Sequence, residues 1–194
     1  MTLSQTIFNN ADITMLGVMR SDFEVGLYST AYKVTNVISQ VVQSIIFVLI
    51  PRLSTYFAQE RYDEINILLR KLLQFNIGLG LPITVGIIML SDDIMYLVGG
   101  DAYLQASSII SVLMLNFLFS LVGGSFLGNA ILIPSKKEKY YMLVCSITAV
   151  INIILNYLLI PDFGALGAAI ATAINGLLIF ILLLVKRNKK ICYC

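Results

Sequence analysis

The chain has 194 residues, of which 58% are hydrophobic and 12% are charged, and its net charge is +2. This composition, with a mean hydropathy of +0.88, excludes an ordinary soluble domain and indicates an integral membrane protein. The chain has no histidine and only three cysteines. A disulfide framework and the common zinc, haem and catalytic-triad chemistries therefore lack their usual residues.

The first predicted span covers residues 1–19, where polar side chains interrupt the apolar pattern. Asn9 and Asp12 lie three residues apart and, with Thr2 and Gln5, share one side of a helix. The other side is apolar enough for lipid or for packing. We expect the chain to begin part-way into a helix.

The second predicted span runs from Gly26 to Ile50 and is ended by Pro51. It carries one polar stripe, spaced alternately by four and three residues: Ser29, Lys33, Asn36, Gln40 and Gln43. Because polar groups within a bilayer must face protein or water, the stripe is expected to face a bundle interior or an aqueous cavity.

The middle of the chain predicts two further spans separated by charged connections. Residues 51–71 are charged and amphipathic, and we interpret them as a loop and an interfacial helix outside the hydrocarbon. Residues 72–90 form the third span, in which Pro82 predicts a kink that serves as a hinge or as a static bend. Residues 91–105 form an acidic external loop, and residues 106–133 form the fourth span.

The last two predicted spans, residues 141–160 and 164–185, form a helical hairpin hinged on residues 161–164. About twenty apolar residues at 1.5 Å each cross a hydrocarbon core of roughly 30 Å, so each run is long enough to span.

Both helices of the hairpin carry a helical pattern of their own. The second has a ridge of small side chains that favours close packing: Gly164, Ala168, Thr172 and Gly176. The first has a polar line: Thr148, Asn152 and Asn156. Interhelical hydrogen bonding and cavity lining both explain that line.

The basic residues predict an orientation. Of the thirteen Lys and Arg residues, four lie in residues 51–71, three in residues 134–139 and four after Val185. The intervening connections hold none, apart from Arg20 at the edge of the first. Under the positive-inside rule the basic connections are cytoplasmic. The sequence thus predicts six crossings, the first truncated, with both termini in the cytoplasm.

Asp12 and Lys33 are charges within predicted spans, where each costs about 2.5–3.5 kcal/mol at a helix centre. Both lie at similar depths on either side of the turn near Ser21. We predict that they pair or share a wet cavity. The alternative is that Lys33 extends to the outer interface and Asp12 caps a frayed helix.

Several strings along the chain are familiar in combination: residues 12–17, 25–33, 51–54, 100–103, 136–139, 152–156 and 160–171. Together they resemble the second half of polysaccharide-biosynthesis flippases of the O-antigen (Wzx) type, in the multidrug/oligosaccharidyl-lipid/polysaccharide exporter superfamily. The resemblance extends over nearly the full chain in the expected order.

The resemblance implies an all-α membrane protein that forms one six-helix lobe of a twelve-helix flippase. Such proteins move an undecaprenyl-diphosphate-linked sugar repeat across the bacterial cytoplasmic membrane by alternating access around a central cavity. Lys33, supported by Asn36, Gln40 and Gln43, would then contact the diphosphate or the sugar hydroxyls. The other cavity-lining candidates are Asn9, Asp12, Asn152 and Asn156.

The resemblance implies a lipid-linked oligosaccharide and membrane lipids as partners, and no cofactor, metal, catalytic residue or nucleic acid. The chain differs from the family in length, because 194 residues form one lobe. A complementary N-terminal lobe or a second copy is therefore expected. Three alternatives stay open: a drug or lipid II exporter of the same superfamily, a non-transporting membrane subunit, and a membrane glycosyltransferase or polymerase.

Overall fold

The computed structural model describes residues 11–185 and, over that range, consists of helices joined by short turns. The helices are α1 (Ala11–Met19), α2 (Asp22–Ala58), α3 (Tyr62–Met89), α4 (Ser91–Gly99), α5 (Ala106–Ser120) and α6 (Glu138–Val185). A 3-10 turn, Asp101–Tyr103, precedes α5, and a π-helical segment, Leu121–Leu132, continues it. Asn9 and the basic residues after Val185 lie outside the described range.

Four helical segments in the described range are long and apolar enough to cross a membrane: α2, α3, α5 with its π-helical continuation, and α6. The all-α membrane fold expected from the sequence is confirmed. Since α6 folds back on itself, as described next, it supplies two segments of spanning length. The total of six crossings and their bounds stay predictions.

Helix α6 is a hairpin that reverses at Gly164, whose backbone has φ 56° and ψ −134°. We call residues 138–163 the first limb and residues 165–185 the second limb. The hydroxyl of Tyr140, at the start of the first limb, donates to the carbonyl of Leu182, near the end of the second, at 3.1 Å. The two limbs therefore run antiparallel, and the predicted hairpin is present.

The ends of α2 and α3 differ from the prediction. Helix α2 continues through Pro51 to Ala58, and α3 begins at Tyr62, so residues 51–71 are two helix ends and not a loop with a separate interfacial helix. Proline removes one backbone donor, but Leu53, two residues after Pro51, is fully buried and stabilises the helix there through its packing. The prediction that residues 91–105 form an acidic loop is wrong as well, because most of these residues form α4 and the 3-10 turn.

Two clusters of buried side chains form the core. One, which includes Leu16, Tyr28 and Phe117, joins α1, α2 and α5 to the hairpin. The other, which includes Leu53 and Ile65, joins the facing ends of α2 and α3 to the π-helical segment. The first cluster surrounds the polar residues described below.

The π-helical segment approaches α6 closely through its glycines. A Cβ on Gly123 would lie 2.9 Å from the Cα of Phe180, and one on Gly128 would lie 2.5 Å from the ring of Tyr141. Real Cβ atoms essentially never come so close to a backbone or ring atom. The glycines thus let the π-helical segment approach α6 closely, against the backbone at Phe180 and against the ring of Tyr141, as small residues do in membrane proteins.

Gly164→Ala is expected to destabilise the protein. The positive φ of Gly164, with ψ −134°, is a conformation that glycine adopts readily and that costs other residues about 1–3 kcal/mol, and the new Cβ would displace the Glu24 carboxylate that lies against it. We expect the apparent melting temperature in detergent to fall by about 4–8 °C. Gly78→Ala is the matched control, because a Cβ there meets nothing within 4 Å. Equal effects of the two substitutions would contradict the hairpin geometry.

Candidate functional site

A carboxylate at the N-terminal end of the described chain is the centre of a polar cluster. Asp12 on α1 accepts hydrogen bonds from Tyr28 on α2, at 3.0 Å, and from Thr172 on the second limb, at 2.7 Å, both on Oδ2. Its Oδ1 accepts from Nδ2 of Asn156 on the first limb. Four helical elements therefore meet at one side chain. We call these four residues the Asp12 centre.

The hairpin explains why two residues sixteen positions apart contact the same carboxylate. Asn156 lies eight residues before Gly164 and Thr172 lies eight residues after it. In an antiparallel hairpin, positions equally far from the turn lie side by side. Tyr28 reaches the centre from a fully packed position, since its side chain is only 1% exposed.

The cluster continues one turn along the first limb. Nδ2 of Asn156 also donates to Oδ1 of Asn152 at 3.2 Å. Two buried amide atoms, Oδ1 of Asn156 and Nδ2 of Asn152, have no hydrogen-bond partner within the described range. An unpaired buried amide group is costly in an apolar environment. These atoms therefore have the capacity to bind a further polar group.

The hydrogen-bond donors of the Asp12 centre can accommodate two protonation states. Thr172 has one hydroxyl hydrogen but lies within hydrogen-bond distance of three oxygens: Asp12 Oδ2, the carbonyl of Ala168 at 3.0 Å and the hydroxyl of Tyr28 at 3.2 Å, which can itself be the donor. An ionised Asp12 takes that hydrogen. A protonated Asp12 can instead donate to Thr172, whose own hydrogen then bonds to Ala168. The same heavy-atom arrangement thus fits either state.

The oxygens of the centre are also of the kind that hard cations prefer. Among the residues that the structure describes, no group of three or more His, Cys, Asp or Glu side chains could hold a metal ion. A single carboxylate with neutral amide and hydroxyl oxygens matches a proton or a small monovalent cation better than a divalent metal.

Lys33 does not pair with Asp12. Between positions 11 and 185 the ion pairs are Arg20–Glu24 and Arg61–Glu64. The predicted Asp12–Lys33 ion pair is therefore wrong, and the alternative that the two side chains share a wet cavity stays a prediction. The physical reason is the helix period: Tyr28 and Lys33 are five residues apart, which places them about 140° apart around α2. Tyr28 faces the Asp12 centre, and Lys33 is exposed on another side of the helix.

The polar stripe of α2 lies on a side that the described chain leaves largely uncovered. Lys33 and Gln40 are exposed, and Asn36 and Gln43 are partly buried. Apolar side chains share this side and are strongly exposed: Val37 at 62%, Val41 at 66% and Val48 at 76%. We call these seven residues the α2 strip. That it lines a transport cavity stays a prediction.

The sequence-based candidates thus fall into two groups. Asp12, Asn152 and Asn156 come together in or beside the Asp12 centre, whereas the α2 strip is separate from it. Asn9 lies outside the described residues. Tyr28 was missed as a site residue, and Thr172 was noted only as a small residue of the packing ridge. The signal for Thr172 was available: it is a hydroxyl in a Gly/Ala ridge, as far from Gly164 as Asn156.

The chain matches a known family over most of its length. A family model described as MatE matches residues 1–158. The match contains Asp12, Tyr28 and Asn156, and it ends before Thr172. No solved structure matches the chain.

Two relatives of known description are similar to the chain. The probable low-salt glycan biosynthesis flippase Agl15 of Haloferax volcanii is 28% identical over 168 residues, which are 84% of this chain and 34% of the relative. The capsular polysaccharide biosynthesis protein CapF of Staphylococcus aureus is 28% identical over 153 residues, which are 79% of this chain and 38% of the relative. The chain therefore spans little more than a third of the length of these curated relatives.

Tyr28→Phe is expected to destabilise the protein by about 1–2 kcal/mol, because it removes one donor to Asp12 and leaves the buried cluster under-satisfied. The apparent melting temperature in detergent should fall by about 2–8 °C. Tyr32→Phe is the matched control. The ring of Tyr32 stacks on that of Tyr28, with their centroids 6.1 Å apart. The Tyr32 hydroxyl makes no hydrogen bond among residues 11–185. An equal loss in both variants would argue against the Asp12 centre.

Proposed function

Because the chain belongs to the MatE family, we propose that it is a flippase lobe that moves undecaprenyl-diphosphate-linked oligosaccharide across the bacterial cytoplasmic membrane. The family membership and the two relatives confirm the resemblance to polysaccharide-biosynthesis exporters. They also favour a transporter over an enzyme. The substrate and the transport mechanism are proposals that rest on the side chains of this chain.

The observation that carries the proposal is the exposed, unpaired cation Lys33 on an apolar helix. It lies eleven residues into α2, about 16 Å along the helix axis. A Lys at the centre of a membrane span costs about 2.5–3.5 kcal/mol unless water or an opposite charge compensates it. No carboxylate in the described part of the chain pairs with Lys33. A lipid-linked diphosphate supplies the anion that this position lacks.

The rest of the α2 strip suits the other parts of the same substrate. Asn36, Gln40 and Gln43 add amide donors and acceptors, which hydrogen-bond sugar hydroxyls without requiring one stereochemistry. Val37, Val41 and Val48 add apolar surface beside them. Such a mixed surface fits an amphipathic ligand better than either a free sugar or a purely apolar drug.

The Asp12 centre is proposed as the place where the driving ion acts. It connects α1, α2 and both limbs of the hairpin through one carboxylate. Addition of a proton or a small cation would change which of these bonds are made. A ligand that binds one conformation more tightly than another shifts the population between them. Ion binding at Asp12 can therefore bias the position of α2, which carries the α2 strip on another side.

Alternating access requires a second wall for the cavity. A cavity that opens in turn to two sides is formed between two bundles that rock against each other, and the α2 strip is one wall. We propose that the second wall comes from a complementary lobe or a second copy of this chain. We propose that both termini lie in the cytoplasm, which the positive-inside rule predicts from the basic residues of the sequence.

Lys33→Gln is expected to reduce flipping of a fluorescent lipid-diphosphate oligosaccharide in proteoliposomes by at least about tenfold, since a charge-assisted bond contributes about 1.5–3 kcal/mol. The assay should be run with and without the complementary lobe. Lys71→Gln is the control, because Lys71 is an exposed lysine on α3 and its substitution removes the same charge.

A Lys33→Gln variant that is stable and flips as fast as the original chain would overturn the assignment of Lys33. Export of a drug or flipping of lipid II, without flipping of the lipid-linked oligosaccharide, would point to another exporter of the superfamily. No flipping under any condition, with or without a second lobe, would favour a non-transporting subunit.

A further inference from the structure

The turn between α1 and α2 contacts the apex of the hairpin through two side chains of opposite charge. Arg20 donates from Nε to the carbonyl of Ile160 at 3.1 Å and from its terminal nitrogen to the carbonyl of Pro161 at 2.5 Å. Glu24 accepts, on Oε2, from the backbone amide of Ala165 at 2.8 Å. We call Arg20 and Glu24 the apex clamp.

Each charge of the apex clamp faces a helix end of the opposite sign. The first limb ends at the apex with carbonyls that have no partner within the helix and carry partial negative charge, and Arg20 binds them. The second limb begins there with amides that carry partial positive charge, and Glu24 binds one of them. The clamp is thus two helix caps supplied by one neighbouring turn.

The direct attraction between Arg20 and Glu24 is the weaker part of the arrangement. Their closest charged atoms are 4.0 Å apart, and their side chains are 32% and 27% exposed. Partly exposed ion pairs at such a distance contribute little. The hydrogen bonds to the two limbs are shorter, so the limbs, and not each other, are the main partners of these side chains.

The apex clamp lies close to the Asp12 centre along every element that meets there. Arg20 follows Asp12 by eight residues, Ile160 follows Asn156 by four, and Thr172 follows Ala165 by seven. These separations are one to two helical turns. If the apex is held rigidly, it therefore also fixes the position of the Asp12 centre, one to two helical turns away.

We propose that Arg20 and Glu24 are positioning residues for Asp12: by capping the two limb ends at the apex, they hold Asn156 and Thr172 on its carboxylate. The function of that carboxylate in transport rests on the proposed function. The positioning does not, and it can be tested on the purified chain without any transport.

A charge swap distinguishes between two explanations for Arg20 and Glu24: that they are helix caps, or that they form a simple ion pair. In Arg20→Glu combined with Glu24→Arg, an ion pair would re-form, but each charge would face a helix end of its own sign. We expect the apparent melting temperature of the swapped chain to lie at or below that of the worse single variant. The control is the same swap at Arg61–Glu64, an exposed pair whose two side chains bind each other. Because Glu64 lies in the first turn of α3, this swap also places a basic residue near a helix N-terminus, which is mildly unfavourable, and it should recover to within about 4 °C of the original chain. Recovery by the swap at Arg20 and Glu24 would overturn the capping assignment.

A double-mutant cycle tests the link to Asp12. The apparent melting temperature is measured for Glu24→Gln, for Asp12→Asn and for the double variant. Arg20→Lys replaces Glu24→Gln as a milder variant if Glu24→Gln does not fold. Sites more than about 7–10 Å apart without shared partners are additive within small limits. We expect the fall in melting temperature caused by Glu24→Gln to be at least halved in the Asp12→Asn background. Additive falls in melting temperature would overturn the positioning role.

Arg61→Gln is the control, because its effect on the melting temperature should be additive with that of Asp12→Asn.

Transport gives the functional readout and separates the two proposals. If Lys33→Gln abolishes flipping, Glu24→Gln should slow it at least fivefold at a temperature where the variant remains folded, and Arg61→Gln should not. If the chain does not flip the lipid at all, the melting cycle still decides whether the clamp positions Asp12. A Glu24→Gln variant that is folded and flips at the original rate would overturn the role of the Asp12 centre in transport, whereas the melting cycle alone decides whether Arg20 and Glu24 position Asp12.

Discussion

The structure depends on how the backbone is satisfied where α6 reverses. A helix that ends within or near a membrane leaves carbonyls and amides without partners, and such groups are costly away from water. Gly164 permits the reversal because its backbone conformation is open to glycine. Arg20 and Glu24 then bind the exposed backbone groups on either side of it. Both features stabilise the reversal of the two limbs.

The fixed hairpin explains the polar cluster below it. Once the limbs are antiparallel and in register, Asn156 and Thr172 lie side by side and bind one carboxylate from α1. Tyr28 completes the set from α2. Polar residues inside a membrane bundle are costly unless they are partnered, and they are commonly functional for that reason. Here the partners come from four elements, so a change at Asp12 reaches all of them.

Helix α2 separates this cluster from the surface proposed to meet substrate. Tyr28 faces Asp12, whereas Lys33 is exposed about 140° away around the same helix. A small rotation or shift of α2 would change both surfaces at once, because a helix moves as a rigid unit. The proposed binding of an ion at the Asp12 centre and of substrate at the α2 strip could thus be coupled, although the two groups of side chains are separate.

The sequence by itself determined the class of the molecule: the apolar runs, the hairpin and the ridge of small residues all follow from composition and from periods within one helix. It did not determine that α2 passes through Pro51, because the burial of Leu53 by distant residues outweighs the local signal for a break. It also did not determine the partner of Asp12. Depth along a helix can be counted from the sequence, but the direction a side chain faces relative to other helices is set by packing. Tertiary structure alone decided that Asp12 meets Tyr28, Asn156 and Thr172, and that Lys33 does not, since these contacts join residues up to 160 positions apart.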